Sequence, residues 1–212
     1  MFYDKHIDEA LRLGDVVRGY VTCTPNIKKP LLSNEEARYA VDIAVPAYCA
    51  ILTPCCSIGN KTVLLAPLIQ VRGALFDNPY FAKDLTNINR RMEPKQTVAP
   101  EVWEHLPPEE QQRRLQEGNA FAFLESFVYE RNELFPKYTL HRKAGNIDDI
   151  NYYMIDFRDT SKLCCSKIVS PGDAPIESKC LQLSVQTRQE LRHKISYYFA
   201  TVPEEDRVLL ES

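Results

Sequence analysis

The sequence predicts a mainly β protein with some α-helix, in the form of a small SH3-like twisted β-barrel that carries a long mixed insertion and a C-terminal helix. About six or seven short apolar runs, rich in β-branched and aromatic residues, are separated by proline, glycine and asparagine, which is typical of short strands. Few segments show the spacing of an amphipathic helix. A change to polar composition near residue 74 marks the start of the insertion.

Length and composition indicate a single domain over residues 1–212 with a sizeable core, since 44% of the residues are hydrophobic. The 26 basic and 29 acidic side chains leave a net charge of −3, which disfavours general nucleic-acid binding and gives no evidence for DNA binding. The N-terminus has mixed charge and no apolar stretch reaches about 18 residues, so we expect a cytoplasmic protein without a membrane partner.

The N-terminal half is predicted to contain one helix and several strands. Residues 4–13 have apolar side chains at helical spacing between Asp4 and Gly14, which can cap and end a helix. Alternating or β-branched sequence predicts strands over residues 15–23, 39–45, 48–52 and 62–71.

The insertion is expected to cover about residues 74–118 and to end in a surface helix over residues 107–118. Strands are predicted over residues 120–129, 138–142 and 150–157, so the barrel would comprise residues 14–72 and 120–170. The final helix is predicted over about residues 185–200. Its apolar stripe is Leu191, Ile195, Tyr198 and Phe199, and its polar face carries Arg188, Arg192 and Lys194.

The seven cysteines include two vicinal pairs, Cys55-Cys56 and Cys164-Cys165. An odd number without a secretory signal is typical of a reducing compartment. Adjacent side chains on an extended backbone point to opposite faces, so we expect no metal and no cofactor, and buried thiols are the simplest interpretation. A zinc or redox sensor is the alternative. Cys56 is kept as a candidate binding residue, although a nucleophilic cysteine would need a histidine base that no spacing supplies.

Asp156 lies in an apolar run, where a buried carboxylate needs a partner. Arg158, two residues further on, is the expected partner, and a structural ion pair is favoured over acid–base catalysis. Asp156 is kept as a candidate binding residue. The acidic pair Asp148-Asp149 is expected in a turn.

Two basic patches could contact single-stranded RNA, with Tyr138 as a stacking residue. Both patches are small, so a solvated surface is the preferred interpretation. They consist of Lys83, Arg90, Arg91 and Lys95, and of Lys137, His141, Arg142 and Lys143.

The order of motifs resembles the MazF/PemK/Kid-type toxins. Gly14-Asp15-Val16-Val17 opens a strand, a later run ends in Thr53-Pro54, another contains Leu64-Leu65-Ala66-Pro67-Leu68, and Ile155-Asp156-Phe157-Arg158 comes late. The resemblance covers residues 14–72 and 150–170. It implies an SH3-like barrel, often a homodimer, and in active members a metal-independent cleavage of single-stranded RNA by an arginine and a serine or threonine.

The resemblance assigns the catalytic hydroxyl to Thr53, but no arginine stands near Ala47, where the family has one. Without a cation at the phosphate, transition-state stabilisation of about 3 kcal/mol or more is missing. We therefore expect a protein-interaction or regulatory module in bacterial stress response or phage defence, binding a protein partner or a second copy. The alternative is an endoribonuclease toxin in which Arg72 or Arg158 replaces the absent arginine, so enzyme activity is left open.

Overall fold

The computed structural model describes residues 1–27, 39–58, 62–77, 84–90, 105–116, 125–142, 145–164 and 179–200. Within these ranges the chain is mainly β with α-helices, which confirms the predicted class. The strands are β1 (Val16–Val17), β2 (Thr22–Ile27), β3 (Tyr39–Ala44), β4 (Cys49–Ile51), β5 (Thr62–Pro67), β6 (Ile69–Gln70), β7 (Ser126–Tyr129), β8 (Tyr138–Arg142), β9 (Gly145–Ile150), β10 (Tyr153–Asp156), β11 (Ser161–Cys164) and β12 (Lys179–Leu181). The helices are α1 (Cys55–Ile58), α2 (Pro108–Gln116), α3 (Val185–Ala200) and two 3-10 helices, Gly73–Asp77 and Leu85–Asn89. None of the described helices combines the length and apolarity needed to span a bilayer.

The first of two compact units comprises Met1–Ile69 and Ile155–Val185. It contains an antiparallel sheet of five strands in the order β11-β5-β4-β1-β12. Strands β11 and β12 are its two edges, and no closed barrel is found in the described part of the chain. A separate two-stranded antiparallel ribbon is formed by β2 and β3, in register from Thr22↔Ala44 to Ile27↔Tyr39.

The core of this unit lies against β4 and β5. Apolar side chains at alternate positions of the two strands pack with Ile58 of α1, because side chains one residue apart point to opposite faces of a sheet. The buried cluster consists of Leu11, Val17, Cys49, Ile51, Ile58, Val63 and Leu65, with Tyr20 and Leu163 packed against it.

The prediction of a helix over residues 4–13 is wrong. This segment is irregular, and the residues before it run beside the sheet: Tyr3 forms a β-bridge with Leu183, and the Asp4 N–H donates to the Gln182 carbonyl at 2.9 Å. Of the predicted apolar stripe, Leu11 is fully buried whereas Ile7 is exposed. Contacts with the residues that directly follow β12, far along the chain, therefore override the local helical spacing.

The single strand predicted over residues 15–23 is also wrong, because it is split into β1 and β2. Gly19 separates them with a φ of +81°, a left-handed conformation that β-sheets do not use and that side chains other than glycine rarely adopt. The turn redirects the chain so that β2 leaves the main sheet and pairs with β3.

The second unit comprises Gln70–Met154 and Gln186–Ser212. It contains the β8–β9 hairpin, α2 and most of α3. The boundaries of the two units fall within β6 and within β10, which belong to the three-stranded sheet β6-β10-β7. The predicted helices at 107–118 and 185–200 are confirmed as α2 and α3. The acidic pair Asp148-Asp149 lies within β9 and not in a turn.

The polar face predicted for α3 needs one correction. Lys194 is 8% exposed, and its ammonium donates to the carbonyl of Ile88, whereas Phe199 of the predicted apolar stripe is 69% exposed. The division into a barrel and an insertion over residues 74–118 stays a prediction, because much of residues 78–104 and all of 117–124 and 165–178 lie outside the described residues.

Candidate interaction surface

Thr53 lies just after β4 and makes a structural hydrogen bond. Its hydroxyl oxygen accepts from the Leu64 N–H of β5 at 2.6 Å, directly beyond the backbone bond from the Leu52 N–H to the Leu64 carbonyl at 2.8 Å. The side chain thus replaces a backbone acceptor where β4 ends and Pro54 turns the chain. This contact accounts for the threonine without a role at a phosphate.

The predicted pair of Asp156 and Arg158 is present. The Arg158 guanidinium donates to the Asp156 carboxylate through Nε at 2.9 Å and through Nη2 at 2.6 Å, and the Arg158 N–H adds a bond of 2.9 Å. Asp156 is buried at the end of β10 while Arg158 is half exposed, so the arginine neutralises a carboxylate that would be costly alone. Arg158 therefore has a structural role in the turn after β10.

The remaining predicted site residues are not assembled into a described site. Arg72 is exposed after β6 in the second unit. Cys55 and Cys56 begin α1, so this pair lies in a helical turn and not on the extended backbone that was expected. The side chains of Cys55 and Cys56 lie outside the described part of the structure, as does the whole of Cys165. Burial raises the pKa of the Cys49 thiol to about 12, which makes that thiol unreactive at neutral pH.

The basic patches are only partly described. Lys83, Arg91, Lys95 and Lys143 lie outside the described residues, as do the side chains of His141 and Arg142. Tyr138, the expected stacking residue, accepts from the Val71 N–H at 3.1 Å and donates to the Tyr152 carbonyl at 2.6 Å. Burial raises its pKa to about 12. Its hydroxyl therefore bridges the backbone of Val71 and the backbone of Tyr152 within the second unit.

A buried ion pair that the sequence does not reveal joins β12 to the start of β1. Lys179 Nζ lies 2.8 Å from Asp15 Oδ2, and the two side chains are 1% and 0% exposed. The ammonium also donates to the Ala10 carbonyl at 2.6 Å and to Gln182 Oε1 at 2.7 Å, while Asp15 Oδ2 accepts from the Arg12 N–H at 2.8 Å. With these partners, both charges are compensated inside the first unit.

This polar cluster holds the irregular N-terminal segment against the sheet. Gln182 Nε2 donates to Asp4 at 2.7 Å, and Asp8 pairs with Arg12. The arginine hydrogen bond holds the pKa of Asp8 below its usual value. Every member of the cluster contacts this chain's own backbone or side chains, so we assign it a structural role.

An exposed apolar surface lies on the β2–β3 ribbon. Val41 and Ile43 of β3 are 59% and 68% exposed, and Val45, one residue beyond the strand, is 73% exposed; the three occupy alternate positions and continue one side of β3. Cys23, opposite Ile43 on β2, is exposed as well, and Val21 has the same parity. We call these five residues the ribbon face.

The ribbon is oriented by its contact with the main sheet. Ser161 of β11 donates its hydroxyl to the Cys23 carbonyl at 3.4 Å, and Thr22, on the opposite side of the ribbon, is buried. β2 therefore lies toward the sheet and β3 lies outermost. In the described part of the chain, β3 pairs with β2 alone.

Sequence reasoning predicted the β3 strand but not the exposure of its apolar side. Alternation of Val41, Ile43 and Val45 with Asp42 and Ala44 is the pattern of a strand with one buried face. The structure leaves that face open. Such β-branched residues on an outer strand are typical of a surface that another chain covers.

The described residues contain no group of three or more His, Cys, Asp or Glu side chains placed to hold a metal ion. No known protein family matches the sequence, and neither the curated proteins nor the solved structures include a match.

Proposed function

We propose that this chain is a non-catalytic protein-interaction module that binds its partner through the ribbon face. The observation that carries the proposal is the exposure of Val41 and Ile43 on an outer strand and of Val45 directly after it. Burying such side chains gains roughly 25 cal/mol per Å² of apolar surface, and the outer strand offers backbone groups to an added strand. An extended segment of a protein is the occupant that satisfies both needs.

The contacts of the predicted catalytic residues support a non-catalytic role. The Thr53 hydroxyl accepts from Leu64, and the Arg158 guanidinium binds Asp156 in two places. A metal-free phosphoryl transfer needs a cation near the reacting hydroxyl. The two residues have structural roles that explain their presence.

We further propose that the scaffold is related to the MazF/PemK/Kid-type toxins and acts in bacterial stress response or phage defence in the cytoplasm. Gly14-Asp15 does precede β1, Thr53-Pro54 follows β4, and Asp156 ends β10, in the order that the resemblance implies. A closed SH3-like barrel would require β11 and β12, the edges of the five-stranded sheet, to join.

Site-specific photo-cross-linking tests the proposed surface. A photoreactive amino acid replaces Val41, and for comparison Val185, which is 64% exposed at the start of α3. We expect a defined protein adduct from position 41 that is identified by mass, reproduced with the purified partner and lost in Ile43→Asp. Equal adducts from both positions, or none from position 41, would contradict the proposal.

Incubation with labelled single-stranded RNA, with and without a chelator, tests the alternative activity. We expect no specific cleavage by the wild-type chain. Cleavage that persists with chelator and disappears in Thr53→Ala, but not in Thr53→Ser, would establish the endoribonuclease function and overturn the non-catalytic one.

A further inference from the structure

The apolar side of β3 has a symmetric sequence. Val41, Ile43 and Val45 follow the order Val-x-Ile-x-Val, so this side is the same when the strand is read in either direction. Antiparallel pairing of two identical strands reverses one of them, so a sequence of this kind can pair with itself. With Ile43 on a two-fold axis, Ile43 lies opposite Ile43 and Val41 lies opposite Val45.

The charge on the strand selects this register. Asp42 is the charged residue among 39–45, and a pairing centred on it would place two carboxylates directly opposite each other, which is destabilising. The pairing centred on Ile43 places Asp42 opposite Ala44. Among the registers that place these apolar side chains on the same face, the one centred on Ile43 pairs all three of them with one another and also separates the two carboxylates.

The position of the ribbon makes this pairing accessible. β2 lies beside β11, where Ser161 donates to the Cys23 carbonyl, so the other strand, β3, lies on the far side of the ribbon. In the described residues, β3 has neither a proline nor a lysine of the kind that usually protects a strand edge. Added strands would extend the ribbon from two strands to four.

We propose that the partner is a second copy of this chain, which pairs with β3 at its outer edge, antiparallel about a two-fold axis at Ile43, so that the two ribbon faces lie side by side and their apolar side chains touch. This inference rests on the proposed function, because it names the partner of the same surface. A closed two-fold interface uses the β3 edge of both copies, so it ends assembly at the dimer.

Sedimentation velocity over a range of protein concentrations tests the dimer. We expect the wild-type chain to dimerise, Ile43→Asp to weaken dimerisation at least tenfold, and Val185→Asp to leave it unchanged as a matched exposed control. Ile43→Thr keeps β-branching and removes apolar surface, so it should weaken dimerisation without loss of fold, as checked by circular dichroism. A dimer that survives both changes at Ile43 would overturn the pairing.

A disulfide tests the register. In a Cys23→Ser background, Ile43→Cys should form an intermolecular disulfide on mild oxidation, because directly opposed residues have Cα atoms about 4.5–5.5 Å apart, within the range that a disulfide spans. Val185→Cys in the same background and the Cys23→Ser parent should form none. Dimers without a disulfide at position 43 would overturn the register.

The two proposals can fail separately. A chain that stays monomeric while position 41 cross-links a different protein would overturn the homodimer and support the interaction module. A monomeric chain with no adduct at position 41 would overturn both.

Discussion

The Thr53 hydroxyl takes the place of a backbone acceptor where β4 ends. Because it accepts from the Leu64 N–H at 2.6 Å, Thr53→Ala should leave that donor without a protein partner and lower the free energy of unfolding by about 1–2 kcal/mol. Thr53→Ser keeps the oxygen and should cost less. Urea denaturation of the two variants measures the difference, and equal stability of Thr53→Ala and wild type would contradict the structural role.

The ion pair between Lys179 and Asp15 makes a second prediction at the residue scale. Lys179→Met leaves a fully buried carboxylate without its ammonium, so we expect a loss of roughly 3–5 kcal/mol in unfolding free energy. Asp15→Asn combined with Lys179→Met removes both charges and should lose less than the sum of the single changes. Additive losses in denaturant titrations would show that the two side chains are not coupled.

Residue-scale prediction from the sequence succeeded where partners are close in the chain. Asp156 and Arg158 are two residues apart, and their pairing follows from the cost of a buried carboxylate. Lys179 and Asp15 lie in widely separated parts of the sequence, and no spacing rule joins them. Arg12 and Asp8 have the spacing of a helical ion pair and do bind each other, but on a backbone that is not helical.

At the scale of elements, the 3-10 helix Leu85–Asn89 is held to β7 by one side chain. Buried Asn89 donates to the Val128 carbonyl at 2.6 Å and accepts from the Val128 N–H at 2.8 Å. Its side-chain amide therefore pairs with both backbone groups of Val128, as the backbone of a neighbouring strand would. Asn89→Ala should lower the unfolding free energy by roughly 2–3 kcal/mol and speed exchange of the Val128 amide hydrogen. Unchanged exchange at Val128 would contradict this role.

The buried lysine of α3 predicts a pH dependence. Burial lowers the pKa of Lys194 from 10.5 to about 7, against a smaller opposing effect of Glu125. Between these values the unfolded chain binds more protons, so this group makes stability rise with pH, by up to about 1.4 kcal/mol per pH unit. Below pH 7 the contribution is constant, because both states are protonated.

Comparison of wild type with Lys194→Met isolates this effect. Denaturant titrations between pH 7 and 8 stay a full unit below the ordinary pKa of 9.0 at which Cys49 titrates in the unfolded chain, and above which its raised folded pKa lowers stability as pH rises. We expect the excess stability of Lys194→Met over wild type to shrink as pH rises. A constant difference would show that Lys194 stays protonated in the folded state.

Helices α2 and α3 were predictable because their signals are local. Proline and glutamates begin α2, and a stripe at helical spacing runs through α3. The helix expected at 4–13 failed because the neighbouring residues pair with the chain beside β12, and the strand expected at 15–23 failed because Gly19 has a positive φ. Both failures come from contacts or backbone angles that a short window of sequence does not specify.

At the scale of the whole molecule, the mainly β class is predictable from the sequence, whereas the apolar surface that stays exposed is not. Alternation predicts that β3 has one apolar side, and burial of that side is the default expectation. Only the turn at Gly19 and the position of β2 beside β11 leave the ribbon face exposed. The exposure of this surface depends on the tertiary position of the ribbon, so the alternation of residues 39–45 predicts the strand but not which of its sides is exposed.

Amide hydrogen exchange of residues 41–45 at low and high protein concentration tests most directly whether a second chain pairs with the outer edge of β3. Pairing at the outer edge of β3 should slow exchange of the amides that point away from β2 at least tenfold at high concentration. Ile43→Asp should abolish this slowing, while exchange in β8 and β9 of the second unit stays constant. Exchange rates in β3 that do not depend on concentration would contradict the pairing of β3 with a second chain.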